Sequence, residues 1–325
     1  MKKHIYCEVE THLLRIKNTN TARKKHIYCE AQTQKKHGLV KCFSCEYNGV
    51  CEVKVMRQDL KEQYLVVKDQ RVVKSNDLIQ KSRFDLSLQE QKIILYLISQ
   101  ITPQDEEFKL YEFSIADFCK ICGIDHTSGG NYADLKRAVK EISDKSIWIN
   151  IDEDQETLIR WIEKPYLNKR SGTIKIRLDE DMKPYLLQLK QNFTSYELIF
   201  TLRFRSKYST RLFELVSSIH YRTLEEYSRE YTISELRRLM GAENYKTWQS
   251  FKERALIPAV NEINQYSDKN LTYEIIKRGR AVSGVRLTVS SKNSLEALRI
   301  RSEIEHEFGY DQISFWDVLE EKGFV

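Results

Sequence analysis

Residues 231–241 read Tyr-Thr-Ile-Ser-Glu-Leu-Arg-Arg-Leu-Met-Gly, and residues 113–123 read Phe-Ser-Ile-Ala-Asp-Phe-Cys-Lys-Ile-Cys-Gly. Each segment begins with an aromatic residue, a hydroxyl residue and isoleucine. The hydroxyl residue, with an acidic residue three positions later, is typical of a capping box at a helix N-terminus. The final glycine is typical of a helix C-terminus. Since the apolar positions between them keep helical spacing, each segment is predicted to be a short helix that ends in a turn.

A second amphipathic helix follows each segment, at 132–142 and at 245–263, and both contain the pattern Ala-Val-x-Glu-Ile. Another amphipathic helix precedes each copy, at 87–101 and 209–221. Strand-like segments come last, at 146–151, 158–163, 173–178, 271–277 and 284–289. Helix, helix, turn, helix and β-hairpin is the order of a winged helix. The sequence therefore predicts an α+β fold of two tandem winged-helix domains.

Charge is distributed unevenly along the 325 residues, whose net charge is +6. Residues 1–55 carry 11 Lys/Arg and 5 Asp/Glu, residues 195–290 carry 16 and 11, and residues 291–325 carry 4 and 8. A basic region before an acidic tail is typical of nucleic-acid contact at one place in a chain. We predict four segments: an extension (1–55), a first winged-helix domain (60–190), a second that is the main DNA reader (195–290), and an acidic tail (291–325).

The predicted helix 245–263 occupies the position of a DNA recognition helix. Its predicted inward stripe consists of Trp248, Phe251, Ala255, Ala259 and Ile263. Pro258 predicts a kink or a shortened first half. Arg can fork to guanine, Gln to adenine, and Glu can accept from cytosine, so the outward side chains are candidates for base contact. They are Lys246, Gln249, Ser250, Glu253 and Arg254. A solvated charged face is the alternative interpretation of the same residues.

Three groups of cations are predicted to contact DNA phosphates. The tip of the second hairpin carries Lys277, Arg278 and Arg280, for which a solubilising turn is the alternative. The start of helix 209–221, where backbone N–H groups favour anions, is surrounded by Arg203, Arg205, Lys207 and Arg211. The third helix of the first domain carries Lys136, Arg137 and Lys140, with Lys169 and Arg170 at a possible hairpin tip. DNA contact and self-association are equally open for the first domain.

The heptapeptide KKHIYCE occurs at residues 2–8 and again, 22 positions later, at 24–30. The residues between the copies show no matching apolar positions, which argues against a stacked structural repeat. Twenty-two codons are 66 nucleotides, or three units of 22, and such a unit read in successive frames reproduces most of this stretch. Residues 1–55 are therefore predicted to be a disordered extension or translated DNA repeats of about 22 base pairs, about two turns of B-DNA. Met56 is then the candidate true start.

The same extension contains cysteines at a spacing that a zinc ion or an iron–sulfur cluster can use. The candidate ligands are His37, Cys42, Cys45 and Cys51. The spacing is loose and lacks a partner pair, so we expect no metal and no cofactor. In the acidic tail, Leu295, Leu298, Ile304 and Phe308 predict a short amphipathic helix. It either caps the second domain or docks a partner, and the cap is preferred.

Several motifs resemble, in the family's order, the RepB/RepE-like replication initiators of iteron-containing bacterial plasmids. They are VVKSNDL (72–78), LSLQEQK (86–92), YSTRLFEL (208–215) and the segment 251–264 with Pro-Ala-Val-Asn-Glu-Ile-Asn. The resemblance covers about 60–290 and implies two winged-helix domains. It implies a protein that binds directly repeated iterons as a monomer, opens the origin, and recruits the host helicase alongside the host initiator. As a dimer, such a protein represses its own gene at an inverted repeat.

Two other functions stay open: a double winged-helix transcription regulator and a rolling-circle nicking enzyme. Nicking requires a tyrosine nucleophile and a metal-binding histidine pair, and the chain has 18 Tyr but no His-x-His. It also lacks the GxxxxGK[ST] motif of ATPases, so we expect no enzyme. Apolar runs fall short of the roughly 18 residues that span a bilayer. No signal peptide is visible, so we expect a cytoplasmic protein without a membrane partner.

Overall fold

The structure, a computed structural model, describes residues 70–115, 131–220 and 225–307, which all belong to one compact unit, Tyr64–Val325. The first part of this unit mixes short helices and strands. Its elements are β1 (Arg71–Ser75), α1 (Asn76–Lys81), β2 (Ser82–Arg83), α2 (Leu88–Ile98), β3 (Tyr111–Ser114), α3 (Asn131–Asp144), β4 (Ser146–Asn150), β5 (Glu156–Arg160), β6 (Tyr166–Asn168), β7 (Thr173–Ile176), α4 (Lys183–Leu186), β8 (Phe193–Glu197) and α5 (Ile199–Leu202).

The second part runs helix, strand, helix, helix and hairpin, and a further helix follows. Its elements are α6 (Lys207–Ile219), β9 (Glu226–Thr232), α7 (Ile233–Met240), α8 (Trp248–Phe251), a π-helical segment (Lys252–Leu256), α9 (Ile257–Tyr266), β10 (Lys269–Arg278), β11 (Ala281–Ser291) and α10 (Ser294–Glu307). Buried apolar side chains of both parts form one core that includes Val72 near its start and Ile304 near its end.

Helix α7 begins and ends where its capping signals predict, and α2 begins with a similar local signal. Thr232 accepts a hydrogen bond from the N–H group of Glu235 at 3.2 Å and begins α7, and Gly241 ends α7 with a φ of 64°. Ser87 and Glu90 form a reciprocal capping box at the start of α2. These local interactions satisfy backbone groups that a helix end leaves without partners. The equivalent prediction for 113–123 lies mostly outside the described residues.

The second winged helix contains a three-stranded antiparallel sheet in the order β10-β11-β9. In β11, Val285 and Leu287 are buried while Arg286 between them is exposed, as expected for a sheet with one face on the core. The predicted hairpin is confirmed. Strand β9 is not among the predicted elements, because it is mostly polar and buries only Tyr231 completely.

The first winged helix has a more elaborate sheet arrangement than the predicted order of helix and hairpin. The predicted hairpin β4–β5 follows α3, but β4 also pairs with β2. Strand β3, which precedes the helix-turn-helix region, pairs instead with β7, and β7 pairs with β6. The hairpin β4–β5 therefore lies in the chain between α3 and β7, the strand that pairs with β3.

Helix α6 packs against elements of both domains. It lies against α7 and α9 of the second winged helix, and against α1, α2 and β8 of the first part. The helix predicted at 209–221 is confirmed as α6. Eleven of its 13 residues are buried, so it is a central helix and is more fully buried than its amphipathic pattern suggests. The predicted boundary at 190–195 assigns this helix to the second domain alone, whereas the elements packed against it belong to both.

The predicted helix in the acidic tail is confirmed as α10, which packs against α5 and α9. Ile304 is buried as predicted, whereas Leu295 is 44% exposed, so the buried stripe starts later than its sequence suggests. Phe308 lies outside the described residues. The guanidinium of Arg301 lies 3.0 Å from the carboxylate of Glu197, which joins α10 to β8. These contacts support the cap interpretation for 294–307.

Gly284 lies where β11 passes close to β9. A Cβ atom at this position would lie 2.6 Å from the backbone carbonyl oxygen of Tyr231. Because a backbone group cannot turn aside as a flexible side chain can, we expect Gly284→Ala to lower the free energy of unfolding by about 1–3 kcal/mol, as overpacking does. Denaturant unfolding measures this, with Ser290→Ala on the same strand as the control. Equal stability of both variants would contradict the close approach.

Candidate nucleic-acid interface

The recognition segment, residues 245–266, begins after the turn that follows α7 and contains α8, the π-helical segment and α9. The Thr247 hydroxyl accepts a hydrogen bond from the Ser250 N–H group at 3.1 Å, which caps α8. The same hydroxyl donates to the Ser250 hydroxyl at 2.9 Å. Ser250 therefore takes part in the cap, which fixes the first turn of the recognition segment. Its predicted base contact stays a prediction.

Pro258 disturbs the recognition segment as predicted. The segment Lys252–Leu256 is a π-helical turn, and α9 begins at Ile257. Proline lacks an N–H group and its ring clashes with the carbonyl group four residues earlier, here that of Arg254. A π turn just upstream accommodates this break in the hydrogen-bond ladder. The predicted inward stripe is confirmed by the full burial of Phe251, Ala255, Ala259 and Ile263, whereas Trp248 is only partly buried and packs against the core.

The outward face of the recognition segment presents polar side chains to solvent. Lys246, Gln249, Glu253 and Arg254 are all exposed. The Gln249 amide donates to the Glu253 carboxylate, and the Lys246 ammonium donates to the carbonyl oxygen of Glu243 at 3.1 Å. Arg254 forms no ion pair with any described residue. A guanidinium without a competing carboxylate is well suited to fork onto guanine, so Arg254 is the strongest candidate for base readout.

The wing ends in a two-residue loop between the paired residues Arg278 and Ala281. Gly279 is the first loop residue and has a φ of 64°. A type II′ turn requires a positive φ at this position and therefore favours glycine there. Lys277, Arg278 and Arg280 are exposed, and none of them forms an ion pair within the described part of the chain. Three uncompensated cations at a hairpin tip are suited to phosphate contact.

The phosphate site predicted at the start of α6 already holds a carboxylate of the protein itself. Glu262 of α9 accepts hydrogen bonds from the N–H groups of Arg205 (3.1 Å) and Ser206 (3.2 Å) and from the Ser209 hydroxyl (2.6 Å). Helix N-termini favour anions, and here the anion is internal. The predicted site is therefore corrected to a clasp that joins α6 to the recognition segment.

Arg211 is an internal residue, which corrects its predicted phosphate contact. Its side chain is 5% exposed, because α6 is buried on the side that carries it. Its Nε donates to the carbonyl oxygen of Leu239 at 3.1 Å, and its guanidinium lies 4.3 Å from the ring centre of Phe84. A buried cation with these partners is not available to a surface ligand.

The other three cations of the same group lie nearer the surface. Arg203 pairs with Glu307 of α10, and Lys207 pairs with Asp85 at 2.6 Å. Arg205 is exposed, and its guanidinium has no ion-pair partner among the residues described. Surface ion pairs are weak, so Arg203 and Lys207 can exchange partners at little cost. Their phosphate contacts stay predictions, with Arg205 the best placed of the three.

Two residues that hold the recognition segment are not found by sequence reasoning. Glu262 clasps α6, and its one sequence signal is its place beside Ile263 of the inward stripe, which brings it near a neighbouring helix. Lys292 is 8% exposed and its ammonium donates to the carbonyl oxygens of Asn264 and Ser267, the latter at 3.0 Å. A cation at these carbonyl groups stabilises the C-terminus of α9.

In the first domain, the predicted phosphate contacts on α3 are exposed but partly paired. Arg137 pairs with Asp134, and Lys140 pairs with Asp144, both within the helix. The hydrogen bond from Lys140 to Asp144 raises the pKa of Lys140, which therefore stays charged at any physiological pH. Lys136 is exposed without an ion-pair partner among the described residues. All three cations can reach solvent from one helix.

The turn between β6 and β7 brings further cations close to α3. The side-chain oxygen of Asn168 accepts hydrogen bonds from the N–H groups of Arg170 (3.0 Å) and Ser171 (3.2 Å), which confirms the predicted hairpin tip. The Lys169 ammonium lies 5.0 Å from the ring centre of Tyr132 at the start of α3. The turn and the helix therefore form one basic edge of the first domain.

No group of three His, Cys, Asp or Glu side chains that could hold a metal ion occurs within 70–115, 131–220 and 225–307. The candidate ligands His37, Cys42, Cys45 and Cys51 lie outside the described residues, as do both copies of KKHIYCE. Among the helices of the described ranges, none is long and apolar enough to cross a membrane.

A helix-turn-helix with an exposed polar recognition face and a cationic wing, preceded by a second domain of the same type, defines a double winged-helix DNA-binding protein. Residues 71–217 match the family domain "Initiator Replication protein, WH1", and residues 232–289 match "Initiator Rep protein, WH2". The chain belongs to this family of replication initiator proteins. The first match ends within α6, in keeping with the position of that helix between the domains.

A solved structure with a similar fold is that of a replication initiator. The chain is similar to the Pi initiator protein, crystallised in complex with iteron DNA, at 16% sequence identity and a TM-score of 0.56. The match covers 70% of this chain and 99% of that one. A match to domains 2 and 3 of RctB has 12% identity and a TM-score of 0.38, and covers 66% of this chain and 86% of that one.

Proposed function

We propose that this protein initiates plasmid replication by binding direct repeats of about 22 base pairs, or about two turns of B-DNA, at the origin. The observation that carries the proposal is the second winged helix, where an exposed recognition face is followed by a wing with three uncompensated cations. Family membership and the iteron complex of the similar Pi initiator support it. The 22-codon spacing of KKHIYCE supports the length of the repeat.

In this proposal, the recognition segment reads bases and the other cations fix the protein on the phosphates. The base-reading set is Lys246, Gln249, Ser250, Glu253 and Arg254. The phosphate set is Lys277, Arg278, Arg280, Arg203, Arg205 and Lys207, with Lys136, Arg137 and Lys140 in the first domain. Base contacts set the preferred sequence, whereas phosphate contacts set the affinity and its dependence on salt.

The first domain also offers a surface for self-association. Trp148 of β4 and Leu158 of β5 lie opposite each other and are 40% and 50% exposed. Exposed apolar pairs on a strand face are typical of contacts with another protein. We infer that a dimer formed through this face represses the protein's own gene at an inverted repeat. The monomer would open the origin and recruit the host helicase and host initiator.

Arg254→Ala is expected to weaken binding to one 22-base-pair unit by about 1–3 kcal/mol and to relax the preference for one base position. The reason is the loss of a bidentate contact to a base edge. Titration of labelled duplexes at a stated salt concentration measures both effects. The duplexes carry the unit deduced from residues 2–30, all single-base substitutions of it, and an unrelated sequence of equal length.

The control for Arg254→Ala is Arg299→Ala, which removes an exposed arginine from α10. It should leave affinity and preference unchanged. An equal loss by Arg254→Ala on specific and unrelated duplexes would show that Arg254 contacts phosphate instead of bases. Failure of the folded wild-type protein to prefer any duplex would overturn the proposed function.

Replication is tested separately from DNA binding. A plasmid that carries the repeats should be maintained only when this gene is supplied, and a frameshift in the gene should abolish maintenance. Repression of the gene's promoter without plasmid maintenance would favour a transcription regulator instead. A gene that begins at Met56 should support maintenance as well as the full gene, if residues 1–55 are translated repeat DNA.

A further inference from the structure

A buried cluster of charged side chains connects β1 and β8 with α6. The Lys74 ammonium donates to Oε1 of Glu214 at 2.6 Å, and the Tyr196 hydroxyl donates to the same oxygen at 2.7 Å. Oε2 of Glu214 lies 3.6 Å from the Arg211 guanidinium. All four residues are at most 5% exposed. Two cations therefore share one carboxylate inside the core.

Arg211 extends this cluster to the turn of the second helix-turn-helix. Its Nε donates to the carbonyl oxygen of Leu239, which lies in the last turn of α7. Its guanidinium stacks on Phe84, between β2 and α2 of the first domain. A Cβ atom on Gly241, which ends α7, would lie 3.2 Å from the carbonyl oxygen of Phe84. The first domain and the turn of the second helix-turn-helix therefore meet at Arg211.

Buried charges are less favourable in a core than apolar side chains. Burial of two cations with one carboxylate costs free energy that apolar side chains of similar size would not. Such a cluster can instead fix an orientation, because a guanidinium that contacts a carbonyl group, a carboxylate and an aromatic ring is held in one geometry. Apolar packing is less directional, so we infer that the charged cluster helps to specify the orientation of the two domains.

We propose that Arg211 is a positioning residue for DNA recognition, which holds the second helix-turn-helix at one orientation to the first domain. One molecule then reads two parts of its site at a single spacing. The inference rests on the proposed function, since it requires both domains to contact DNA. It adds a residue that determines the spacing of the site without touching the DNA.

The spacing is sensitive to small changes of orientation. Each base pair advances the duplex by about 3.4 Å and rotates it by about 35°. Two readers that are rigidly joined can therefore fit only one separation, and an insertion of two base pairs removes one of them from its groove. Two loosely joined DNA-binding domains tolerate the insertion, but they gain less affinity from the correct spacing because their relative orientation must become ordered on binding.

Arg211→Met is the appropriate variant. It removes the hydrogen bond to Leu239 and one buried charge, keeps an unbranched side chain of similar reach, and leaves Lys74 and Glu214 as a neutral pair. The fold should therefore survive, and unfolding curves check this before DNA is added. Arg211→Lys keeps the charge without the planar fork, and Arg299→Met on α10 controls for the loss of an exposed arginine.

The experiment measures dissociation constants for four duplexes with the full-length protein. One carries the complete 22-base-pair unit, or the site recovered by selection from random duplexes if the unit does not bind. Two carry that site with one or the other half scrambled. The fourth carries two extra base pairs between the halves. The half that belongs to the second domain is the one whose scrambling removes the effect of Arg254→Ala.

The wild-type protein should bind the complete site much more tightly than the site that keeps only the half of the second domain. Arg211→Met should reduce this ratio by about tenfold, a typical coupling between sites, while it binds the half site within about twofold of wild type. The insertion of two base pairs should also reduce the affinity of Arg211→Met less than it reduces the affinity of the wild-type protein. Arg211→Lys should behave as Arg211→Met does, and Arg299→Met as wild type.

Equal losses on the complete and half sites would show that Arg211 only supports the fold, and would overturn the proposal. An unchanged ratio in folded Arg211→Met would overturn it as well. So would a wild-type protein that is indifferent to scrambling of one half, since no second reader then exists. Failure of the wild-type protein to select any site would instead overturn the proposed function.

Discussion

Glu214→Gln should lower the free energy of unfolding by about 3–5 kcal/mol at neutral pH, because it leaves two buried cations without their counter-ion. Lys74 and Arg211 both lie against this carboxylate, and Glu214 is 1% exposed. The glutamine amide can accept one hydrogen bond from Lys74 but carries no charge. Denaturant unfolding monitored by tryptophan fluorescence measures the decrease in stability.

The effect of Glu214→Gln should depend on pH with a definite sign. Burial favours the neutral acid, but Lys74 and Arg211 outweigh burial and lower the pKa of Glu214 below its ordinary value of 4.5. The unfolded chain therefore takes up the proton first as the pH falls. The stabilisation by Glu214 is complete above pH 4.5 and is lost as the pH falls through the lower folded value. The difference in the free energy of unfolding between wild type and Glu214→Gln should therefore become smaller as the pH falls below 4.5.

A double variant separates the ionic effect from a general loss of packing. Lys74→Met added to Glu214→Gln removes one of the two stranded cations, and should recover a large part of the stability lost in the single variant. Additive losses would contradict an ionised cluster, because two independent packing defects do not compensate each other. A matched surface variant is Glu274→Gln on β10, whose pair with Arg286 is exposed and should cost less than about 1 kcal/mol.

The sequence predicts the second winged helix well because its signals are local. The capping threonine, the glycine with positive φ and the apolar stripe of the recognition segment each act within one or two helical turns. Two copies of one pattern then predict two domains. Pro258 predicts an interruption at the right place, although the π turn that accommodates it needs the packed structure to be seen.

What the sequence misses depends on interactions between distant residues. Strand β9 has too few apolar residues to be recognised, and its pairing with β11 joins residues 52 to 64 positions apart. Arg211 and Glu262 are charged, which in a sequence favours an exposed position. Only the packed helices show that Arg211 is buried and that Glu262 is half-buried against the start of α6. The prediction of a phosphate site at α6 is corrected for that reason, because Arg211 lies against Glu214 and Glu262 occupies the helix N-terminus. Phosphate contact by Arg203, Arg205 and Lys207 stays a prediction.

The wing should supply much of the affinity for DNA. Replacement of Lys277, Arg278 and Arg280 by glutamine should make the association constant less dependent on salt. The negative slope of log K against log salt should become shallower by about 2.7, at about 0.9 for each phosphate that the protein no longer neutralises. If the two proteins bind equally at about 1 M salt, the affinity at 0.15 M falls roughly a hundredfold. The three side chains are exposed, and Gly279 keeps its place in the turn, so the fold should not change.

The same triple variant should keep its base preference, because phosphate contacts carry no sequence information directly. Its affinity should therefore fall by a similar factor on the 22-base-pair unit and on an unrelated duplex, in contrast to that of Arg254→Ala. A control with the same change of net charge replaces Lys81, Lys109 and Arg299 by glutamine, all exposed and outside the wing. If the control matched the wing variant in slope, the general charge of the protein would bind the DNA, and the wing would have no special part in it. A steeper fall on the specific duplex alone would mean instead that a wing arginine enters a groove and reads its shape or its bases.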